Sequence, residues 1–513
     1  MKNDHYDLVV IGGGINGTAI ALEATARGLK TLLCEKNDLA SATSSASTKL
    51  IHGGLRYLAA FELSLVMESL KDRKNLLEHA PHLVKPLRFY IPFKQKKWPY
   101  WQTKLGLWFY HSFAKLPDIK QKPIISDTNH IILNRYFRHF LNFQDCYTDD
   151  ARLVIANAKK AHDLGADILT YTKLISAKQQ NHQWELILEN QFDLKQIKTI
   201  STQTVVNASG PWVENIHTQL FNCKTDFELK LIQGSHLIIN KIIEGSHAYL
   251  LPTSDNRVIF ILPYLDKFNL IGTTDTDIPD STSNNKKFDI TQQEITYLLK
   301  EINPYLSSPL NQENILNHWS GARALPIKKN VSSIKPSEIS REYKLEWVET
   351  HSEGPYLLSV WGGKLTTHRS LAVHAISILK NKLHTKLKTN SSIYHQYLNS
   401  QNNQPFDPNH ILDAYDFLPD YIKRRLIFNY GQDCLEFLKN CTHLDQLGIH
   451  FGQGLYEAEI NYLITHEWAQ TLEDILLRRT KMGLLLTTQE KTKLQSWFEK
   501  RHGVQFQASE SRN

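Results

Sequence analysis

The first pattern along the chain is an unbroken apolar run, Leu8-Val9-Val10-Ile11, with no polar alternation, as a strand covered on both faces of a parallel sheet requires. Gly12-Gly13-Gly14-Ile15-Asn16-Gly17 follows at once, and a helix is predicted over residues 18–27, stopping at Gly28. Thr31-Leu32-Leu33-Cys34 reads as a second strand ending at Glu35. Residues 148–161 read as a helix, and Val205-Val206-Asn207 as a strand running into a tight turn through Ala208, Ser209, Gly210, Pro211 and Trp212. Residues 257–262 and 269–272 change to strand-like patterns suited to an antiparallel sheet. A helix is predicted to open within residues 361–369 and to continue through Leu371 and Ala375. Residues 389–405 are polar and read as a linker, after which helical patterns dominate residues 411–501, with Gly448 to Gly454 as the clearest break.

Strand, glycine turn, helix, strand and acid is the order that gives Gly-x-Gly-x-x-Gly its meaning. Gly12 permits the turn, Gly14 lets backbone approach a pyrophosphate, and Gly17 lets helix and strand pack closely. The helix start offers unpaired N–H groups to phosphate charge, and Glu35 stands where a carboxylate accepts from ribose hydroxyls. The fingerprint alone does not separate FAD from NAD. Three later segments favour FAD: the hydroxyl-rich residues 41–49 (with Thr43, Ser44, Ser45, Ser47 and Lys49), the turn at Ala208, Gly210 and Trp212, and the helix opening at Gly363, Lys364, Leu365 and Thr366. A pocket assembled from such distant parts of the chain suits a long cofactor.

Composition narrows the class without naming a reaction. At 513 residues the chain holds two or three domains, and 41% hydrophobic with 22% charged residues is ordinary for a globular protein. No apolar run approaches the roughly 18 residues that cross a bilayer, and no signal core precedes Leu8, so a cytoplasmic protein is expected. Five scattered cysteines suit reduced thiols, and no zinc-ligand spacing is present, so no metal is expected. The net charge of +7 fits an anionic substrate, an anionic lipid surface or simple solubility. In residues 85–122, nine Lys and Arg residues face one acid, Asp118, among Trp98, Tyr100, Trp101, Trp108, Phe109, Tyr110 and Phe113. That mixture suits a bilayer headgroup region; no nucleic-acid motif accompanies it.

The sequence resembles the FAD-dependent glycerol-3-phosphate dehydrogenases of the bacterial aerobic type over nearly its whole length. The most specific stretch is Ser44-Ser45-Ala46-Ser47-Thr48-Lys49-Leu50-Ile51-His52-Gly53-Gly54-Leu55-Arg56-Tyr57-Leu58. Gln233-Gly234-Ser235-His236, Ile271-Gly272-Thr273-Thr274-Asp275, Ser320-Gly321-Ala322-Arg323 and Gly362-Gly363-Lys364-Leu365-Thr366-Thr367 support it, as does Asp474-Ile475-Leu476-Leu477-Arg478-Arg479-Thr480-Lys481-Met482-Gly483. The resemblance implies a Rossmann-like α/β FAD domain, an antiparallel-sheet substrate domain of glycine- and D-amino-acid-oxidase type, and an α-helical C-terminal domain. The FAD domain is expected at residues 1–84, 146–225 and 320–390, the substrate domain at 85–145 and 226–319, and linker plus helical domain at 391–513.

By the same resemblance, Ile15, Asn16, Lys36, Leu50, Gly53 and Gly54 join the cofactor set. Arg56, Tyr57, His236, Arg323, Arg341, Lys364 and Thr366 form the substrate site, with His236, Arg323 and Arg56 in catalytic roles and His52 as a second candidate imidazole. The implied reaction is oxidation of glycerol 3-phosphate to dihydroxyacetone phosphate by hydride transfer to flavin N5. Electrons then pass to a quinone at the inner face of the cytoplasmic membrane, to which the protein is peripheral. An oxidase using oxygen, another amino-acid-oxidase-like flavoenzyme and a non-catalytic flavin-binding scaffold are the alternatives, and a homodimer is left open. The chain departs from the family at Ala19, Glu23, Gln233, Ala324 and His368, where glycine, aspartate, lysine, proline and tyrosine are usual. Of these, Gln233 removes a positive charge near the expected substrate site, and His368 alters a position beside the expected flavin.

Overall fold

A computed structural model describes residues 4–54, 62–114, 132–278, 288–329, 339–349, 354–380, 387 and 410–502. Two large sheets organise them. The first has eight strands, with Tyr356–Trp361, Ile197–Asn207, Asp4–Ile11, Thr31–Cys34 and Asp167–Leu169 in parallel succession. Leu8, Val9 and Val10 have no solvent exposure, which is why their stretch carries no alternation. The helix Ile15–Ala26 covers one face with Asp150–Asp163 and His368–Lys380. It is buried along almost its whole length; Ala19 fits that packing, and Glu23 stays buried by pairing with Arg27, Nε to Oε1 at 2.6 Å. The antiparallel hairpin Thr172–Gln180 and Gln183–Asn190 covers the other face through Leu174, Trp184, Leu186 and Leu188.

The second sheet has nine strands and is antiparallel except where His247–Pro252 runs alongside Val84–Phe93. Its longest pairing joins Phe227–Asn240 to Ile315–Lys328. The domain boundaries read at 146 and 320 therefore fall inside single strands, since His139–Thr148 and Ile315–Lys328 both pair within this sheet. Backbone pairing holds such strands whole, and no composition shift marks the point where the chain changes sheets.

The helix expected to open within residues 361–369 does so near the end of that span and runs through Leu371 and Ala375. Tyr356–Trp361 is a strand, Gly362 to Thr367 form a turn, and the helix is His368–Lys380. Gly362 and Gly363 take φ of +76° and +106°, outside the right-handed helical region, which sets this boundary. The C-terminal segment has its own core and the helices Asp420–Tyr430, Glu457–His466 and Thr488–His502. The break at Gly448 to Gly454 holds the first strand of the two-stranded pairing of His450–Gly452 with Leu455–Tyr456 and the turn between them.

Buried ion pairs join this segment to the loop after Thr31–Cys34 and to the helix Asp150–Asp163, which packs on the first sheet. Arg478 Nε and Arg479 donate to Asp38, Arg152 grips Glu467, and Lys481 reaches Asp149 at 2.5 Å. Removing one partner of such a pair costs about 3–5 kcal/mol, because the other charge is left buried alone.

Candidate active site

A cavity of about 750 Å³ opens where the two sheets meet, beyond the C-terminal ends of Asp4–Ile11 and Thr31–Cys34. Gly12 turns the chain there at φ +111°, and a Cβ on it would stand 2.6 Å from the Ala208 carbonyl oxygen at the end of the neighbouring strand. Only glycine allows both the turn and that approach. The Gly13 N–H donates to Glu35 Oε2 at 2.7 Å and the Asn37 N–H to Oε1 at 2.9 Å. Burial pushes the Glu35 carboxyl up, and those two donors pull it back. Ser44 Oγ accepts from the Ile15 N–H at 3.0 Å, while Asn16 Nδ2 donates to the Gly362 carbonyl at 3.0 Å, tying the first turn to the late one. The Lys36 ammonium sits 3.8 Å from the centre of the Trp212 ring.

Among the expected cofactor contacts, Gly12, Gly14, Ile15, Asn16, Glu35, Lys36, Thr43, Ser44, Ser47 and Leu50 line this cavity. Ala208, Gly210, Trp212, Gly363, Lys364, Leu365 and Thr366 do so from the later segments. Five others are not among its lining residues. A Cβ on Gly17 would run into the Gly12 carbonyl, so its work is helix-to-turn packing. Ser45 Oγ donates to Ala42 O, and Lys49 is buried with its ammonium on Asp150 Oδ1 at 2.7 Å and Ser45 O at 2.6 Å. Gly53 packs on Leu70 and Tyr110, and Gly54 turns the chain at φ +76°. A loop rich in hydroxyls does not reveal from its own letters which side chains face inward. Arg56 and Tyr57 lie outside the described residues.

At the other end, Arg323, Arg341 and Lys364 line the same cavity from three separate segments. Arg323 pairs with Asp275 and donates from Nη2 to Thr273 Oγ1 at 3.0 Å, in space kept open by Gly234, whose Cβ would stand 2.5 Å from that Nη2. Arg341 lies 3.9 Å from the same Asp275. Burial holds the Lys364 ammonium down to about 8, with Glu62 opposing and Arg341 adding to the shift. Thr366 Oγ1 accepts from the His52 N–H at 3.3 Å.

Two imidazoles line the cavity and differ in access. His236 is 1% exposed, stacks on Trp319 at 5.5 Å, and has Nε2 taken by Thr48 Oγ1 at 2.9 Å. Its Nδ1 is enclosed without a hydrogen-bond partner among the described residues. Burial first, then Arg323 and Lys49, holds it well below its usual 6.5. His52 is only partly buried, and no hydrogen bond ties its ring among the described residues. Its value is lowered as well, by burial and then by Lys364, Arg341 and Arg73 against the opposing pull of Asp145.

The departures from the family pattern sit behind these walls. Gln233 donates to Glu294 Oε2 at 2.8 Å and Asp289 O at 2.9 Å, so its amide occupies a place beside a carboxylate that a lysine would also satisfy. His368 Nδ1 meets the Leu365 carbonyl at 2.7 Å, and burial drives it down to about 4. Nothing in the sequence marks a separate role for Thr48, Trp319 or Asp275. Asp275 and Thr48 fall inside quoted motifs, but their partners are 48 and 188 residues away, so no local spacing announces them.

A cradle without Cβ atoms, a half-buried carboxylate at the end of the second strand and a distant cationic wall fit FAD. Comparison with known proteins agrees. Residues 7–369 match the family of FAD dependent oxidoreductases, and residues 393–499 match the C-terminal domain of alpha-glycerophosphate oxidase. The glycerol-3-phosphate dehydrogenase of Pseudomonas aeruginosa is 38% identical over 97% of this chain and 96% of its own. The D-erythritol 1-phosphate dehydrogenase of Brucella abortus is also 38% identical, over 96% of this chain and 97% of its own. A crystal structure of the glycerol-3-phosphate dehydrogenase from Bacillus halodurans complexed with FAD superposes with a TM-score of 0.74 at 26% identity, covering 97% of this chain and 91% of that one. With a glycine cradle for the dinucleotide at one end of the cavity and arginine and lysine at the other, this chain belongs to the FAD-dependent glycerol-3-phosphate dehydrogenase family.

Proposed function

We propose that the chain oxidises sn-glycerol 3-phosphate to dihydroxyacetone phosphate and passes the electrons to a membrane quinone. The observation that carries this reading is the wall formed by Arg323, Arg341 and Lys364, with Asp275 orienting both guanidinium groups. A phosphate ester of nearly two negative charges needs such a cluster in a partly dry pocket, whereas an amino-acid carboxylate is served by one guanidinium fork. When bound in the cradle of Gly12, Gly14 and Glu35, FAD would supply the acceptor for the hydride from C2.

The chain's own residues bind, orient and remove the hydroxyl proton. Arg323 and Lys364 hold the phosphate and so aim C2. A carbonyl forms at C2 only if the hydroxyl proton leaves with the hydride, which calls for a neutral base. Both imidazoles are held below their usual value and are neutral at pH 7, but His236 has Nε2 engaged and Nδ1 enclosed. We therefore assign proton removal to His52 and give His236 a supporting place in the wall. Arg56 is expected to complete the phosphate site.

Peripheral membrane contact is supported by the helix Trp98–Ala114. It exposes Trp101, Leu105, Trp108 and Phe109, with Lys94, Lys96, Lys97 and Lys104 exposed nearby. No helix among the described residues is long and apolar enough to cross a membrane. Lys115, Asp118, Lys120 and Lys122 lie outside the described residues.

The test is anaerobic mixing of the flavin-loaded protein with stoichiometric glycerol 3-phosphate. Bleaching of the oxidised flavin band is expected, with none from glycine or D-amino acids; an unbleached flavin would sink the reading. The Brucella abortus relative supports a second reading, a four-carbon polyol phosphate, so D-erythritol 1-phosphate belongs in the same titration. Reoxidation by a soluble quinone without peroxide supports the quinone route, and peroxide formation in air would favour an oxidase.

A further inference from the structure

Behind His52 lies a buried polar knot that the chemistry above does not use. Gly53, the next residue, donates its N–H to the Tyr110 hydroxyl at 2.9 Å and to Asp145 Oδ1 at 3.3 Å. Tyr110 donates to Asp145 Oδ1 at 2.7 Å, and Arg73 pairs with Asp145 while its Nη1 donates to the Tyr110 hydroxyl at 3.1 Å. Tyr110 and Arg73 have no solvent exposure, and Asp145 is 3% exposed. Well-packed apolar side chains are often as stable as a buried ion pair of this kind, so stability alone does not explain its presence. Contact with the backbone is close: a Cβ on Gly53 would stand 2.5 Å from the Tyr110 hydroxyl.

We infer that Tyr110 is a positioning residue for His52, its hydroxyl pinning the His52–Gly53 peptide and with it the direction of the imidazole into the cavity. The inference rests on the reading that His52 takes the substrate's hydroxyl proton. Three elements converge to hold the hydroxyl: Trp98–Ala114 carries Tyr110, Leu63–His79 carries Arg73, and His139–Thr148 carries Asp145. Burial and then Asp145 keep the phenol well above its usual 10, so it stays protonated and donates at any working pH. Asp145 also favours the His52 imidazolium, while Arg73, Lys364 and Arg341 disfavour it, so the knot bears on the proton affinity of the base as well as its aim.

Tyr110→Phe keeps the ring in its apolar seat and removes only the hydroxyl. In the flavin-loaded protein without substrate, hydrogen exchange at the Gly53 amide is expected to speed up. Flavin affinity and substrate Kd stay within about twofold, while the flavin reduction rate at saturating glycerol 3-phosphate falls about tenfold, the scale at which small misplacements act. Asp145→Asn should move the acid limb of the reduction rate to lower pH, because a charge favouring imidazolium is gone. An unchanged rate in Tyr110→Phe, or flavin affinity falling in step with the rate, overturns the inference. An acid limb left in place by a folded Asp145→Asn does the same, and if that variant does not fold, the Tyr110→Phe measurements decide. Failure of the unaltered protein to bleach instead sinks the functional reading together with this one, and the amide exchange result tells the two failures apart.

Discussion

The two ends of the cavity are built in opposite ways. At the nucleotide end, turn, helix start and carboxylate lie within residues 12–35 and are held mainly through backbone, with Gly13 N–H on Glu35 and Gly12 against Ala208. At the end proposed for the substrate, Arg323, Arg341 and Lys364 arrive from separate segments, and the side chain of Asp275 orients the two arginines. Backbone contacts tolerate little change and side-chain contacts are removed one at a time. Damage at the first end should therefore be all-or-none, and damage at the second graded and specific to substrate.

The largest effect is expected from Gly17→Val. Its side chain would occupy the Gly12 carbonyl position, so the variant should purify without flavin, read as the ratio of flavin to protein absorbance. Retention of a full flavin complement would break the contrast at its base. Arg323→Ala comes next: loss of charge-assisted hydrogen bonds of about 3 kcal/mol weakens glycerol 3-phosphate binding roughly a hundredfold. Flavin content and spectrum should stay unchanged, and loss of flavin in this variant would erase the distinction between the two ends.

Lys364 offers a pH test of the same wall. With its ammonium held down to about 8, it is charged below that pH and neutral above it, so substrate affinity should fall as pH rises through about 8. Lys364→Met should bind about tenfold more weakly at pH 7 and lose that limb; a limb that persists belongs to another group. The smallest effect is expected at Thr48→Val, which frees His236 Nε2 but leaves His52 as proposed base, costing a few-fold in reduction rate, on the order of one lost hydrogen bond. A loss as deep as that of His52→Ala would return the base to His236.

Legibility in the sequence follows the same division. The β-α-β unit was readable because its strands are buried on both faces and its glycines are demanded by backbone geometry. The arginines and lysine of the substrate end were legible only through family resemblance. The direction of the Lys49 side chain was hidden for a related reason. It stands among cavity-facing hydroxyls, yet Asp150, 101 residues away, draws its ammonium into the core.

What the sequence by itself determined is the nucleotide-binding unit, the change from parallel to antiparallel sheet and the helical C-terminal segment. These rest on periodicity and on residues such as Gly12 whose role is local. Only the tertiary structure decided that, of two imidazoles on the cavity wall, His236 is enclosed and His52 is partly exposed, and that Tyr110 stands behind Gly53. Those outcomes depend on which side chains reach the same few ångströms after distant strands and helices have packed, and neighbours along the chain carry no record of that meeting.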